Sequence, residues 1–162
     1  MWGRPWCYAH NGQLSDWQEL PLGVYTPVGN TDSEHAFCWL MGELRRVFPT
    51  PPAAPEALWE KLHDLCEQLR GLGVFNLLLS DGVYLYSYCS TKLAHITRRA
   101  PFGDAELSDA EITVNFIEHT TQHDIVSVIA TEPLTQNEAW HRMVPGELLV
   151  WREGEIHARY CP

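Results

Sequence analysis

The amino-acid sequence predicts an α+β fold with a largely antiparallel sheet, and three observations lead to this class. Two amphipathic segments with helical spacing follow one another between residues 31 and 70. Residues 74–160 then hold a series of short segments rich in β-branched and aromatic residues. Asp81-Gly82, a dipeptide typical of tight hairpins, joins two of these segments. Because helices come early and strands late, the order argues against a parallel sheet of alternating strands and helices.

The first strand is predicted at residues 6–13, where side chains alternate in character up to the Asn11-Gly12 turn signal. The first helix is predicted to begin after Thr31, which forms a capping box with Glu34 three residues later. Apolar residues then follow at helical spacing, namely Phe37, Leu40, Met41, Leu44, Val47 and Phe48. This segment therefore carries both a helix start signal and an apolar face.

The remaining predicted elements are one helix and a series of strands. After a proline-rich stretch, apolar residues at helical spacing predict a second helix over residues 58–69, which the glycines at 71 and 73 end. The strands on both sides of the Asp81-Gly82 turn are apolar enough to be central in a sheet. The predicted strands cover residues 74–80, 83–89, 95–98, 111–116, 124–131, 147–152 and 155–160.

Length and charge limit what the chain can bind. A chain of 162 residues that is 45% hydrophobic can bury the core of one domain. Its formal net charge of -10 repels phosphate backbones and anionic lipid, so neither nucleic acid nor a membrane is an expected partner. No signal-peptide pattern opens the chain, and its apolar runs are far too short for a membrane span. We therefore expect a soluble, cytoplasmic protein.

The cysteines and histidines give little sign of a metal site. The 5 cysteines are scattered along the chain without a CxxC spacing, which predicts neither a disulfide framework nor a zinc site. His119 and His123 have the i, i+4 spacing of a helical metal pair. However, no glutamate lies between them, and the surrounding residues are typical of a loop that enters a strand. The sequence therefore predicts no metal and no cofactor.

Asn11-Gly12 at the end of a strand is the first candidate for chemistry. A side-chain amide and a glycine backbone N–H that point off a sheet can converge on one oxygen and form an oxyanion hole for acyl transfer. The alternative is a plain turn, which an isolated Asn-Gly pair forms more often. Asp32, at the first helical position, is the second candidate, since a carboxylate held ionised at a helix start suits a substrate ammonium. Its alternative role is to stabilise the helix dipole.

Together, the segments AHNGQL (residues 9–14) and GNTDSE (residues 29–34) resemble class II glutamine amidotransferases. The resemblance to small stand-alone bacterial members covers nearly the whole chain. It is carried by WGRPWCYAHNGQL, TDSEHAFCWL, GVFNLLLSDG, STKLAHITRRAPF and VIATEPLTQNEAWHRMVPGE. It implies the αββα sandwich of N-terminal-nucleophile hydrolases.

The same resemblance implies roles for individual residues. The Asn11 side chain and the Gly12 backbone N–H would stabilise the tetrahedral intermediate, and Asp32 would bind the α-amino group of glutamine. His10 completes the motif without an assigned chemical role. The implied partner is glutamine or a γ-glutamyl small molecule, whose side-chain amide is hydrolysed through a cysteinyl acyl-enzyme.

In this family the nucleophile is a cysteine at the start of the mature chain, and no residue here matches it. Trp2 after Met1 is too bulky for ordinary methionine removal. Cys7 lies inside the predicted first strand, without a free α-amine. We therefore expect an N-terminally incomplete domain, whose residues alone do not catalyse the reaction. The alternative is a glutamine-binding or interaction module that does no chemistry.

An incomplete sandwich leaves unpaired strand edges and open apolar faces, which promote self-association. We predict that the isolated 162-residue chain folds poorly and self-associates through its sheet edges. Size-exclusion chromatography with light scattering, followed by a thermal melt, measures both properties. A monodisperse monomer that unfolds cooperatively would contradict the prediction.

Overall fold

The computed structural model describes residues 1–102, 104–108, 113–115 and 121–162, with residues 113–115 described as a strand only. In this part of the chain, the helices are α1 (Asp32–Val47) and α2 (Pro55–Arg70), and a short 3-10 turn covers Trp17–Glu19. The strands are β1 (Cys7–Leu14), β2 (Gly73–Ser80), β3 (Leu85–Tyr88), β4 (Ala94–Arg99), β5 (Asp104–Glu106), β6 (Thr113–Asn115), β7 (Ile125–Ala130), β8 (His141–Arg142), β9 (Leu148–Arg152) and β10 (Glu155–Tyr160).

A five-stranded antiparallel sheet forms the centre of the fold, in the order β1-β2-β3-β9-β10. The predicted hairpin at Asp81-Gly82 is confirmed, since this turn joins β2 to β3. The Asp81 carboxylate accepts the backbone N–H groups of Val83 and Tyr84 at 3.0 and 2.8 Å. Gly82 has a φ of 83°, which favours glycine over other residues. Both strands are central in the sheet, as predicted.

The two helices cover one face of this sheet and form the main core with it. The buried leucines of the helices include Leu40, Leu44, Leu62, Leu65 and Leu69. The sheet contributes alternate residues, because neighbouring side chains on a strand point to opposite faces. Those of β2 and β3 are Phe75, Leu77, Leu79, Tyr86 and Tyr88. Burying each such side chain stabilises the fold by roughly 1.5–3 kcal/mol, so this layer is a main source of stability.

The other face of the five-stranded sheet packs against a three-stranded sheet in the order β7-β4-β8. Trp151 on β9 lies between the two sheets, and its indole N–H donates to the Ser87 hydroxyl at 2.8 Å. Its ring contacts His95 on β4, with 5.0 Å between ring centroids. The described residues therefore form three layers, helices over one sheet over a second sheet. This arrangement agrees with the predicted α+β class and incomplete αββα sandwich.

Some predicted elements differ from the structure. The strand predicted at residues 83–89 begins at Leu85, because the Asp81 carboxylate holds the two preceding residues in the turn. β5 and β8 are absent from the sequence prediction, since strands of 3 and 2 residues are too short to show an alternating pattern. Of the strand predicted at residues 111–116, only Thr113–Asn115 is described, and the rest lies outside the described residues.

β1 and β10 are the two edge strands of the five-stranded sheet. Within the described residues, β1 pairs with β2 alone, and the side chains of Cys7, Ala9, Asn11 and Gln13 along it are exposed. An open edge with an exposed face is where the predicted self-association would occur, and the oligomeric state itself stays a prediction. Neither of the two described helices is long and apolar enough to cross a membrane.

The predicted start of α1 is confirmed, with one difference in the capping box. Thr31 is the N-cap, and its hydroxyl accepts the backbone N–H of Glu34 at 3.2 Å. The capping box predicts that the Glu34 carboxylate bonds back to Thr31. Instead it accepts the backbone N–H of Gly29 at 3.0 Å. The chain before the helix folds back over Glu34, and this hydrogen bond holds the preceding loop against the start of the helix.

Replacing Thr31 by alanine should destabilise the protein by about 1 kcal/mol, because the Glu34 N–H at the helix start loses its acceptor. Urea unfolding followed by circular dichroism measures the change. Thr50→Ala, at an exposed threonine just beyond α1, is the control and should leave the stability unchanged. Equal losses in the two variants would contradict the capping role.

Candidate active site

Asn11 and Gly12 lie on β1, at the open edge of the five-stranded sheet. Asn11 is directly opposite Asn76 of β2. Both side chains point toward the second sheet, because Phe75 and Leu77 on either side of Asn76 belong to the helix-facing core. The Asn11 side chain is exposed and therefore accessible to a ligand.

Position 12 requires glycine because β1 and β2 approach each other closely there. A Cβ at Gly12 would lie 1.9 Å from the carbonyl oxygen of Val74 and 2.9 Å from Nε2 of His10. The first contact is with backbone, which cannot move aside without breaking the strand pairing. A side chain at this position would therefore push the edge strand off the sheet.

The peptide between Asn11 and Gly12 has a defined direction. The side-chain Nδ2 of Asn76 donates to the carbonyl oxygen of Asn11 at 3.1 Å. In a trans peptide the C=O and the following N–H point in opposite directions, so the Gly12 N–H is directed away from β2, toward the open edge. This edge presents the Asn11 amide and the Gly12 N–H, the kind of donor pair that an oxyanion hole uses.

Asp32 is the first residue of α1 and connects this helix to β1. Its Oδ2 accepts the backbone N–H of Leu14 at 2.9 Å, and its Oδ1 accepts the backbone N–H of Ser33 at 2.8 Å. Leu14 is two residues beyond Gly12, so the carboxylate lies at the same end of β1 as the donor pair. Each carboxylate oxygen has a second lone pair, so Asp32 can also accept from a substrate ammonium.

His10 and Ser33 form a second contact between β1 and α1. The Nε2 of His10 lies 3.0 Å from the carbonyl oxygen of Val74, and its Nδ1 lies 2.9 Å from the Ser33 hydroxyl. Because a carbonyl oxygen only accepts, Nε2 carries the ring proton, and in the neutral imidazole Nδ1 accepts from the hydroxyl. His10 therefore holds the residue next to Asp32, a role that the sequence pattern does not reveal.

The structure thus brings the predicted site residues to one end of β1, with Asp32 joined to the strand through Leu14. Two further residues of this end, Ser33 and Asn76, are missing from the sequence prediction. Asn76 has a usable signal, since it is a polar residue inside the apolar run of β2. Ser33 has none, because serine is ordinary in the first turn of a helix.

Two thiols near this sheet bear on the question of the nucleophile, and neither is suitable. Cys7 shares the outward face of β1 with Asn11, but four residues along a strand separate them by about 13 Å. Cys89 follows β3, is fully buried, and its Sγ donates to the carbonyl oxygen of Met143 at 3.9 Å. Burial raises the pKa of the Cys89 thiol, which disfavours the reactive thiolate. The cysteine that the resemblance implies is thus neither of these two.

A cleft of about 570 Å³ opens on the second sheet, and the predicted site residues are not part of its lining. Arg98 in this cleft pairs with Glu138 at 2.5 Å. Arg99 pairs with Glu155 at 2.6 Å. Both arginines are thus compensated by carboxylates, so the cleft does not offer them as unpaired charges to an anionic ligand. The site at β1 lies instead on an exposed sheet edge.

Across the ranges that the structure describes, no group of three or more His, Cys, Asp or Glu side chains is arranged to hold a metal ion. His119, one half of the histidine pair in the sequence, lies outside the described residues, and His123 is exposed. The expected absence of a metal and a cofactor stays a prediction.

The fold and the site together define a class of protein. Antiparallel sheets are layered with helices, an Asn-Gly pair lies at a sheet edge, and an acidic residue begins the adjoining helix. The family profile described as "Glutamine amidotransferases class-II" matches residues 1–162. The chain belongs to the class II glutamine amidotransferase family.

Two curated relatives are similar over most of the chain. YafJ of Escherichia coli (strain K12), whose name assigns it provisionally to the glutamine amidotransferases, is 50% identical over 155 residues. A Haemophilus influenzae protein with the same provisional assignment is 36% identical over 155 residues. The matches cover 96% of this chain in both cases, but 61% and 52% of the relatives. The chain thus spans between half and two thirds of the length of these proteins.

Solved structures share the fold. A crystal structure of a protein from Pseudomonas aeruginosa PA01, titled as a glutamine amidotransferase by prediction, is 51% identical and matches with a TM-score of 0.85. The match covers 98% of this chain and 62% of that one. A glutamine aminotransferase class-II domain protein from Silicibacter pomeroyi is 21% identical with a TM-score of 0.55, over 97% and 68% of the two chains. At that identity the second match supports the fold alone.

The burial of the thiols predicts which of them react. Iodoacetamide at about pH 8 should alkylate Cys7 and Cys161, which are exposed. Cys66 and Cys89 should stay unmodified in the folded protein, because burial raises the pKa of both thiols and also blocks the reagent. Peptide mass spectrometry measures the modification, and the same reaction in denaturing urea is the control. Alkylation of Cys89 as fast as Cys161 would show that the reagent reaches the interior around Cys89, and would contradict the prediction.

Proposed function

We propose that the complete protein hydrolyses the side-chain amide of glutamine, or of a γ-glutamyl small molecule, through a cysteinyl acyl-enzyme. The described residues would supply the oxyanion hole and the binding of the substrate α-amino group. The nucleophile would be the cysteine that the family places at the start of the mature chain. The observation that carries the proposal is the placement of Asn11, Gly12 and Asp32 at one end of β1.

The proposed reaction has two steps. The thiolate attacks the amide carbon, and the resulting oxyanion accepts from the Asn11 side chain and the Gly12 N–H. The C–N bond breaks as the nitrogen takes up a proton, so ammonia leaves from glutamine and a thioester remains. Water then attacks the thioester, which releases glutamate and restores the thiol.

The proposed oxyanion role of Asn11 and Gly12 is supported by how firmly the strand holds them. Donors that are already oriented need no reorganisation when charge develops on the substrate oxygen, and this is the source of their effect on the rate. The Gly12 N–H belongs to a peptide that Asn76 holds from the β2 side. Its direction toward an open edge leaves room for a substrate.

The proposed binding role of Asp32 is supported by its charge and its position. Two backbone N–H groups, from Leu14 and Ser33, hold the carboxylate at the start of α1, where the helix dipole favours a negative charge. A fixed carboxylate makes a charge-assisted hydrogen bond to an α-ammonium group. Free glutamine and γ-glutamyl compounds both carry that group, so Asp32 suits both substrate classes.

The alternative is a module that binds glutamine without chemistry, and the complete protein distinguishes the two. The intact mass and the N-terminal sequence of the protein from its native source are the first measurements. A mature N-terminal cysteine together with ammonia release from glutamine supports hydrolysis. Thermal stabilisation by glutamine without ammonia release would favour binding alone and contradict the proposed hydrolysis.

Asn11→Ala in the complete protein should lower kcat for glutamine hydrolysis by about 10²- to 10³-fold with little change in KM, because one oxyanion donor is removed. Asp32→Ala should chiefly raise KM, because the contact with the α-ammonium is lost. An ammonia-coupled assay measures both constants. Asp64→Ala, at an exposed acid on α2, is the matched control and should change neither constant.

Asp32 also binds the Leu14 N–H, so a folding control is needed. Asp32→Asn keeps an acceptor oxygen and removes the charge, and it should stay folded by circular dichroism while KM still rises. A reversed result, in which Asn11→Ala raises KM and Asp32→Ala lowers kcat alone, would overturn both role assignments.

A further inference from the structure

We propose that Asn76 is a positioning residue of the oxyanion hole, which holds the Asn11-Gly12 peptide so that the Gly12 N–H is aimed at the reacting oxygen. This inference rests on the proposed hydrolysis and adds a residue to its machinery. Asn76 does not touch the substrate in this scheme, and it acts through the edge strand that it supports.

The position of Asn76 is unusual for an amide. It lies in the middle of β2, with 5% of its surface exposed, between the fully buried Phe75 and Leu77. Burying an amide costs free energy unless its groups are hydrogen-bonded. The contacts of this side chain therefore indicate what it does.

Both the nitrogen and the oxygen of the Asn76 side-chain amide form hydrogen bonds. Its Nδ2 donates to the carbonyl oxygen of Asn11 and to the hydroxyl of Thr91, each at 3.1 Å. Its Oδ1 accepts the backbone N–H groups of Ser90, Thr91 and Lys92 at 3.0, 3.1 and 3.3 Å. One side chain thus joins the edge strand β1 to the loop that leads from β3 to β4.

The contact with Asn11 is the one that bears on catalysis. The carbonyl oxygen of Asn11 and the N–H of Gly12 belong to the same planar peptide, so a hydrogen bond that restrains one also restrains the other. β1 is an edge strand, and within the described residues no strand restrains this peptide from the outer side. Asn76 therefore adds a side-chain donor to the strand pairing with β2, which holds the same peptide from the inner side.

The loop at residues 90–92 makes Asn76 a rigid support. Three backbone N–H groups converge on its Oδ1, which fixes the plane of the amide. The loop leads directly into β4, and the exposed Lys92 ammonium lies 3.0 Å from the Glu132 carboxylate. Because the amide plane is fixed from the loop, the direction of Nδ2 toward Asn11 is fixed as well.

Asn76→Asp tests the proposal, because aspartate keeps the shape and the acceptor for residues 90–92 but replaces the Nδ2 donor by an oxygen facing Asn11. In the complete protein, kcat for glutamine hydrolysis should fall about 10- to 100-fold with KM within about twofold, since misplacing a catalytic group by about 1 Å can cost about 10²-fold. Asn76→Ser buries no charge, but it removes the acceptor for residues 90–92 as well as the contact with Asn11; it should show at least the same loss of kcat if the aspartate variant does not fold.

A control variant separates positioning from a loss of stability. Ser87→Ala removes a buried acceptor on β3, to which the Trp151 indole donates at 2.8 Å. It should lower the melting temperature through a lost buried hydrogen bond, yet leave kcat within about threefold.

Positioning is also measurable without turnover. In the ¹⁵N-labelled complete protein, the backbone amide resonance of Gly12 should shift or broaden in Asn76→Asp and stay in place in Ser87→Ala. In an active protein, an unchanged kcat in both Asn76 variants overturns the proposal. If the wild type releases no ammonia, the proposed hydrolysis is wrong. In that case the Gly12 resonance alone tests whether Asn76 positions the Asn11-Gly12 peptide. An unchanged Gly12 resonance in Asn76→Asp would overturn this positioning role.

Discussion

β1 pairs with β2 in antiparallel register, and this pairing determines where the site residues lie. It sets Asn11 opposite Asn76 and brings Gly12 against the backbone of β2. If the pairing register of β1 shifted by one residue, Asn11 would point toward the helices, and a residue with a side chain would occupy the position where only glycine fits. β2 also requires a glycine, since a Cβ at Gly73 would lie 2.3 Å from the carbonyl oxygen of Gln13. The observed register therefore requires glycine at both positions, and the two glycines allow the strands to approach closely in that register.

The helix layer is attached to this strand pair by the first two residues of α1. Asp32 accepts the Leu14 N–H, and Ser33 contacts the His10 ring. Both contacts form within the protein and need no substrate. The carboxylate is therefore held in place before any ligand arrives, at a helix end that favours negative charge. A preorganised group loses little freedom on binding, which supports the proposed role of Asp32 in binding an ammonium-bearing substrate.

The sequence predicts the elements that carry local signals and misses those that depend on contacts across the fold. Thr31 with Glu34 and the Asp81-Gly82 turn are recognisable within four residues, and both appear where they are predicted. β8 exists because it pairs with β4, and its two residues carry no pattern of their own. The two motifs of the site are visible by resemblance. Asn76 is visible only as a polar residue in an apolar run, and its meaning depends on the strand opposite.

The buried asparagine of β2 links the stability of the fold to the proposed chemistry. An apolar side chain at position 76 would bury more carbon, but three backbone N–H groups of residues 90–92 would lose their acceptor. Of these three residues Ser90 is buried, and leaving a buried donor without a partner costs roughly 1–3 kcal/mol, whereas one more buried methylene contributes about 0.8 kcal/mol. The loop alone therefore favours an amide here. The Nδ2 of the same amide then donates one hydrogen to the Thr91 hydroxyl and the other to the carbonyl oxygen of Asn11 on the edge strand.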